Sequence, residues 1–168
     1  QPADILIPAK DADMTKWSVV ACDQYTSDQE YWEKVEKTVG KAPSTLRITL
    51  PEIFLDKGDV EGRIETINHT MNEYLNGNLF EKLENSFVYL ERTLKNGKIR
   101  HGLIGVLDLN EYDYNKGSRS AVRATEGTVL SRIPPRVHIR ENAPLELPHV
   151  MILIDDAENT VIGKVAQQ

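Results

Sequence analysis

A single cysteine, Cys22, is all the thiol chemistry that this 168-residue chain possesses. An internal disulfide is therefore excluded, and so is a zinc cluster built on cysteines; a reducing compartment fits. Long apolar runs are missing too. Nothing approaches the roughly 18–20 residues of a membrane-spanning helix, so the sequence predicts a soluble chain. No secretory signal of basic, apolar and small-residue regions is present, and the expected location is the cytoplasm. The Walker glycine loop, GxGxxG, GxSxG and HExxH are all absent, which removes the commonest nucleotide, hydrolase and zinc signatures. Cations are in deficit as well. The formal charge is −6 and the pI about 5.3, which speaks against nonspecific binding to a nucleic-acid backbone.

What is present reads as one α/β or α+β domain over residues 1–168, with a mixed sheet of about five to seven strands and two substantial helices covering it. Pro2 and Pro8 flank an extended entry segment, and Trp17–Cys22 has the β-branched content of a short buried strand. Ser27 and Glu30 have the spacing of a capping box, predicting a helix through Trp32, Val35 and Val39 that stops at Gly40. Thr45–Leu50 alternates like a strand ended by Pro51. Ile64, Ile67, Met71 and Tyr74 or Leu75 recur at helical spacing up to Gly77, while Leu79, Phe80 and Leu83 suggest one further short helical piece. His69 lies off the stripe of the long helix and reads as a solvated or hydrogen-bonded side chain. Phe87–Leu94, the turn signal Asn96–Gly97 and Ile99–Leu109 predict an antiparallel hairpin; Gly102 and Gly105 in its second arm point to a bulge or a close backbone approach. Val150–Ile154 reads as a fully apolar central strand.

Ordinary folding needs account least well for Ser118–His149. This stretch carries Arg119, Arg123, Arg132, Arg136 and Arg140 against Glu126, Glu141 and Glu146, a local charge of +2 that leaves −8 for the remainder. None of the eleven lysines falls here, and the planar guanidinium is the cation suited to paired hydrogen bonds with carboxylate or phosphate. A strand over 136–140 would put Arg136, His138 and Arg140 on one face and Val137 and Ile139 on the other. Arg123, Thr125, Glu126, Gly127 and Thr128 would supply a cation, hydroxyls, a carboxylate and a flexible glycine for an oxyanion cradle. Two readings stand side by side: a ligand site, or a structural ion network with acids elsewhere in the chain.

A second candidate is the loop Asp23–Gln24–Tyr25–Thr26, between a strand end and a helix start, where free N–H donors point outward. The same residues can equally satisfy local backbone donors, and Cys22 can be a small buried hydrophobe rather than a nucleophile. Asp155 and Asp156, leaving the apolar segment, could help hold a divalent cation or cap the following turn. Asp108 faces solvent or serves the site.

The strings VVACDQYTSDQEYWEKVE, PSTLRITLPE and RATEGTVLSRIPPRVHIRENAPLELPHVMILIDD together resemble a bacterial family known as domain of unknown function 1015, over nearly the whole chain. The resemblance implies an N-terminal portion of a longer protein, in keeping with a start at Gln1 and an unfinished run from Lys164 to Gln168. It also implies a His-Glu-x-Thr pattern whose Glu and Thr fall on Glu126 and Thr128. The histidine is absent, which leaves a general-base role there unsupported.

Two functions are compatible with these residues. One is an enzyme or binding domain for a small anionic, perhaps phosphate-bearing, ligand held by Arg123, Arg136, His138 and Arg140, with Glu126 as general acid or base; Mg²⁺ enters only if phosphoryl transfer is the reaction, with Asp23 or Asp155 as its ligand. The other is a non-catalytic module that docks an acidic partner or the rest of its own chain.

Overall fold

A computed structural model describes the whole chain except Thr125, Glu126, Thr128, Pro148, Gln168 and the side chain of Arg132. It is a mixed helix-and-strand fold whose strands form three two-stranded sheets, in place of the single larger sheet expected. The chain divides into two compact units. The first comprises Gln1–Ile7, Lys82–Gly127 and Met151–Gln168; the second comprises Pro8–Glu81 and Thr128–Val150.

The second unit holds the core. Helix α1 (Met14–Trp17) is capped by Asp13, whose carboxylate accepts the Thr15 N–H, and delivers Trp17 into the interior. Helix α2 (Gln29–Val39) starts one residue later than the capping-box spacing predicts, because the Asp28 side chain accepts the Tyr31 N–H, and Gly40 (φ 57°) terminates it. Helix α3 (Val60–Asn76), capped by Asp59, buries Ile64, Ile67 and Met71 as the periodicity predicts, and of Tyr74 and Leu75 it is Tyr74 that is buried. These pack with Trp17, Ile48 and Leu50, and Phe80 and Leu147 lean on the same cluster.

Two expected strands of this unit are not strands. Trp17–Cys22 is the end of α1 followed by irregular chain, and Thr45–Leu50 opens as a 3₁₀ turn over Thr45–Arg47. Local hydroxyl chemistry overrides β propensity there: Ser44 Oγ accepts the Leu46 N–H, while Ser44 Oγ and Thr45 Oγ1 both donate to the Trp17 carbonyl, at 3.3 and 2.9 Å. Residues 136–140, also expected as a strand, belong to helix α4 (Ile133–Arg140). Pro134 and Pro135 sit in its first turn, where a missing N–H costs nothing, and β-branched Val137 and Ile139 ride within it. Ile139 is its one residue that is not exposed.

In the first unit, strand β1 (Ala3–Pro8) confirms the extended entry and pairs with β2 (Phe80–Ser86), which replaces the helical piece expected around Leu83. Asp4 accepts the Asn85 N–H and lies 3.0 Å from Lys82 Nζ. Strands β3 (Val88–Thr93) and β4 (Ile99–Ile104) form the anticipated antiparallel hairpin, with Gly97 at φ 79° in its turn. Gly105 is a close approach: a Cβ there would lie 2.7 Å from the Gln1 carbonyl oxygen and 2.8 Å from the Phe87 ring. Strands β5 (Tyr112–Asp113) and β6 (Val122–Arg123) pair in parallel, and α5 (Ile162–Val165) closes the chain. The segment Met151–Ile154 forms no ladder, contrary to the central strand expected. A run of β-branched residues becomes a strand only where a second strand takes its N–H and C=O groups.

Candidate functional site

As a helix, α4 distributes its cations differently from a strand. Arg136 and Arg140 are one turn apart on one face, and His138 points about 200° away from each. Each meets a carboxylate of the second unit. Arg136 Nη2 donates to Glu52, which is the more sheltered partner. Arg140 Nη2 lies 3.3 Å from Glu146 Oε1. His138 Nε2 is 2.9 Å from both Glu61 oxygens, and its Nδ1 is 3.4 Å from Glu141 Oε2.

With a carboxylate on either side, the His138 ring donates from both nitrogens only as imidazolium. Glu61 and then Glu141 accordingly raise its pKa above the ordinary imidazole value. The folded pKa therefore exceeds the unfolded one. The stabilisation this clamp contributes is fully present below the unfolded value of about 6.5 and is lost as pH rises through the folded value. The stability gap between wild type and His138→Gln is thus expected to be wider near about pH 6 than near about pH 9. Urea midpoints at the two pH values check this; a gap independent of pH would show that the histidine contributes by packing alone.

The loop after Cys22 is tied to this region through Glu52. The Glu52 N–H donates to the Cys22 carbonyl at 2.8 Å. Burial pushes the Cys22 thiol up, the Asp23 and Glu52 carboxylates push it further, and Arg136 opposes them. A thiol raised in this way stays protonated at neutral pH and is a poor nucleophile. Asp23 accepts from Gln24 Nε2 at 3.3 Å. Tyr25, at φ 51°, stacks on Tyr31 with centroids 3.9 Å apart, and its carbonyl accepts from Trp32 Nε1 at 3.1 Å.

Arg123 lies in β6, in register with Asp113, in the first unit, whereas Arg136, His138 and Arg140 lie in the second. Thr125, Glu126 and Thr128, the other members of the proposed cradle, fall outside the described residues. Asp156 accepts the Thr160, Val161 and Ile162 N–H groups at 2.7, 3.1 and 3.3 Å and so caps the turn into α5. Asp155 is exposed, and among the described residues no three His, Cys, Asp or Glu side chains converge as a metal centre requires. Asp108 accepts the Asn110 N–H at 2.9 Å. An open groove of about 290 Å³ lies between α1 and α2, lined by Val19, Val20, Tyr31, Lys34, Val35 and Thr38 among others, and contains none of the anticipated site residues.

Glu52 and Glu61, the partners that define the surroundings of α4, carried no signal of their own in the sequence; they lie 84 and 77 residues from the side chains they hold. Residues 5–168 match the family described as "Protein of unknown function (DUF1015)". The chain belongs to that family. Membership in DUF1015 spans both units and every candidate residue named above. No curated protein and no solved structure matches the chain, and no helix among its described residues is long and apolar enough to cross a membrane.

Proposed function

We propose that this chain is an interaction module whose first unit is completed by another polypeptide segment. The observation that carries this reading is the distribution of burial. Among the described residues, every side chain buried from solvent belongs to the second unit. The first unit buries none, and its run Met151–Ile154 is 51–76% exposed. Phe87, Leu90, Ile99, Val106 and Leu107 are exposed in the same unit, and the Arg100 guanidinium lies 3.7 Å from Met151 Sδ. So many exposed apolar side chains in one unit favour a surface that another chain covers.

A photo-crosslinking residue placed at Ile152 in the native protein is expected to form adducts with a defined polypeptide segment. The same group at Lys37, on exposed α2, should form none, and Met151→Asp/Leu153→Asp should abolish the adduct at 152. Because these side chains bury little, the paired aspartates should change the stability of the chain itself by no more than about 0.5 kcal/mol per site. Equal yields at 152 and 37, or no adduct at 152, would overturn the reading.

A second reading, a small anion bound beside Arg123, is supported by one observation: neither Arg119 nor Arg123 has a carboxylate in ion-pair contact among the described residues. Titration calorimetry with phosphate, nucleotides and phosphorylated metabolites, with and without Mg²⁺, tests it; absence of heat in all of them removes it.

A further inference from the structure

The densest cluster of cations without acidic partners in the first unit lies outside the arginine-rich stretch. In the β3–β4 ribbon, Arg92 and Arg100 are Cα partners directly opposite one another, so both side chains leave the same face. Lys95 and Lys98 flank Asn96–Gly97 at the tip. Like charges placed opposite on a ladder repel, and among the described residues no carboxylate is in ion-pair contact with any of these four cations. The nearest acid in sequence, Glu91, is in register with His101, lies 3.8 Å from its Nδ1, and belongs to the opposite face. The arginine face continues into the Leu90–Gly102 pair, where the Leu90 side chain packs beside the glycine. Four cations within nine residues of a chain of charge −6 form a local field of the opposite sign.

We propose that this hairpin docks a short, extended, acidic polypeptide segment, which adds as a third strand along the ribbon and sets its carboxylates on Arg92 and Arg100. The proposal rests on the interaction-module reading; the hairpin adjoins Met151, whose Sδ lies 3.7 Å from the Arg100 guanidinium, but it is the ribbon's cations and free edges, not Met151–Ile154, that would select this segment. Three features favour a polypeptide. The sheet has two strands, so both outer edges present N–H and C=O groups that another backbone matches in full. Exposed Ile99, on the face opposite the arginines, offers apolar contact to the alternate side chains of an added strand. A short acidic segment feels mainly the charges within a screening length of about 8 Å, whereas a long polyanion also meets the acidic remainder of the chain.

The test uses a fluorescent peptide of roughly eight alternating Glu and Val residues, long enough to span a typical strand. Its anisotropy is followed on the full chain at about 50 mM salt, with added salt expected to weaken binding. Arg92→Gln/Arg100→Gln should weaken binding about tenfold or more, the equivalent of at least 1.4 kcal/mol. Lys95→Gln/Lys98→Gln, in the turn and outside both strands, should weaken it by a smaller factor while leaving the fold intact. Arg136→Gln/Arg140→Gln on α4 should change nothing. Amides of β3 or β4 should gain protection from hydrogen exchange when the peptide is present. Unaltered binding in both hairpin variants, equal binding of a Lys–Val peptide, or tighter binding of duplex DNA or anionic vesicles than of the acidic peptide would overturn the proposal. Adducts at Ile152 without peptide binding would overturn the hairpin proposal alone. Peptide binding without adducts at Ile152 would support it and count only against the apolar surface.

Discussion

Replacing Trp17 by alanine is expected to lower the unfolding free energy by about 3–5 kcal/mol, the range for removing a large aromatic side chain from a packed core. Trp17 is the last residue of α1 and 7% exposed. Its ring meets Phe80 edge-on at 5.6 Å and lies tilted against Tyr74 at 5.9 Å. Its carbonyl also receives the Ser44 and Thr45 hydroxyls, so a shift of the α1 terminus loosens two hydrogen bonds besides the packing. The alanine variant should therefore show a lower urea midpoint with an unchanged slope. Since a domain of this size has a total stability of only about 5–15 kcal/mol, that loss is a large fraction of the whole. Trp17→Phe, which refills part of the space, should recover a substantial share. A midpoint unmoved by the alanine would mean that Trp17 does not hold this core together.

Tyr74→Phe isolates a different contribution from the same cluster and is expected to cost about 1–3 kcal/mol. The ring remains, and with it the contacts to Trp17 and Phe80; only the hydroxyl is lost. That oxygen accepts the Ser44 backbone N–H at 3.0 Å, and Ser44 is completely buried. No water can replace the acceptor without opening the core, so the donor is left with its desolvation cost uncompensated. Burial already raises the Tyr74 pKa, which keeps the phenol protonated at neutral pH. Faster hydrogen exchange at the Ser44 amide and a lower urea midpoint should appear together. A loss below about 0.5 kcal/mol, the usual scatter of neutral surface changes, would mean that the backbone relaxes to find another acceptor.

The elements legible in the sequence are those in which local signals agree with one another. In α3, the stripe Ile64–Ile67–Met71–Tyr74 coincides with the Asp59 cap and the break at Gly77. In β3–β4, alternation coincides with an Asn–Gly turn. The misread elements are those in which one local signal was strong and a competing one was overlooked. Val137 and Ile139 argued for a strand, but Pro134 and Pro135 start a helix. Ile48 and Leu50 are buried as a strand would bury them, yet the Ser44 hydroxyl winds the preceding residues into a turn. Met151–Ile154 has the composition of an interior strand without an interior to occupy. The cations of the candidate site were visible in the sequence, and so was the option of an ion network. Which acids face them depends on tertiary contacts: Glu52 comes from a short turn before α3 and Glu61 from its first turn, and neither has a spacing relation to residues 136–140. The hairpin cations were equally visible, but their relationship appears only once register places Arg92 opposite Arg100.

The order in which the two units divide the chain governs how they are made. The polypeptide passes from the first unit to the second and back twice, ending in the first. Ile139, Ala143, Leu145 and Leu147 pack against a core whose other members lie between Trp17 and Phe80. During synthesis that interior stays unsealed until residue 147 clears the ribosome, by which time all of 82–127 has already emerged and must wait beside it. A truncation anywhere before that point leaves aliphatic surface bare on the nascent protein, so shortened products should be prone to aggregate and to capture by chaperones.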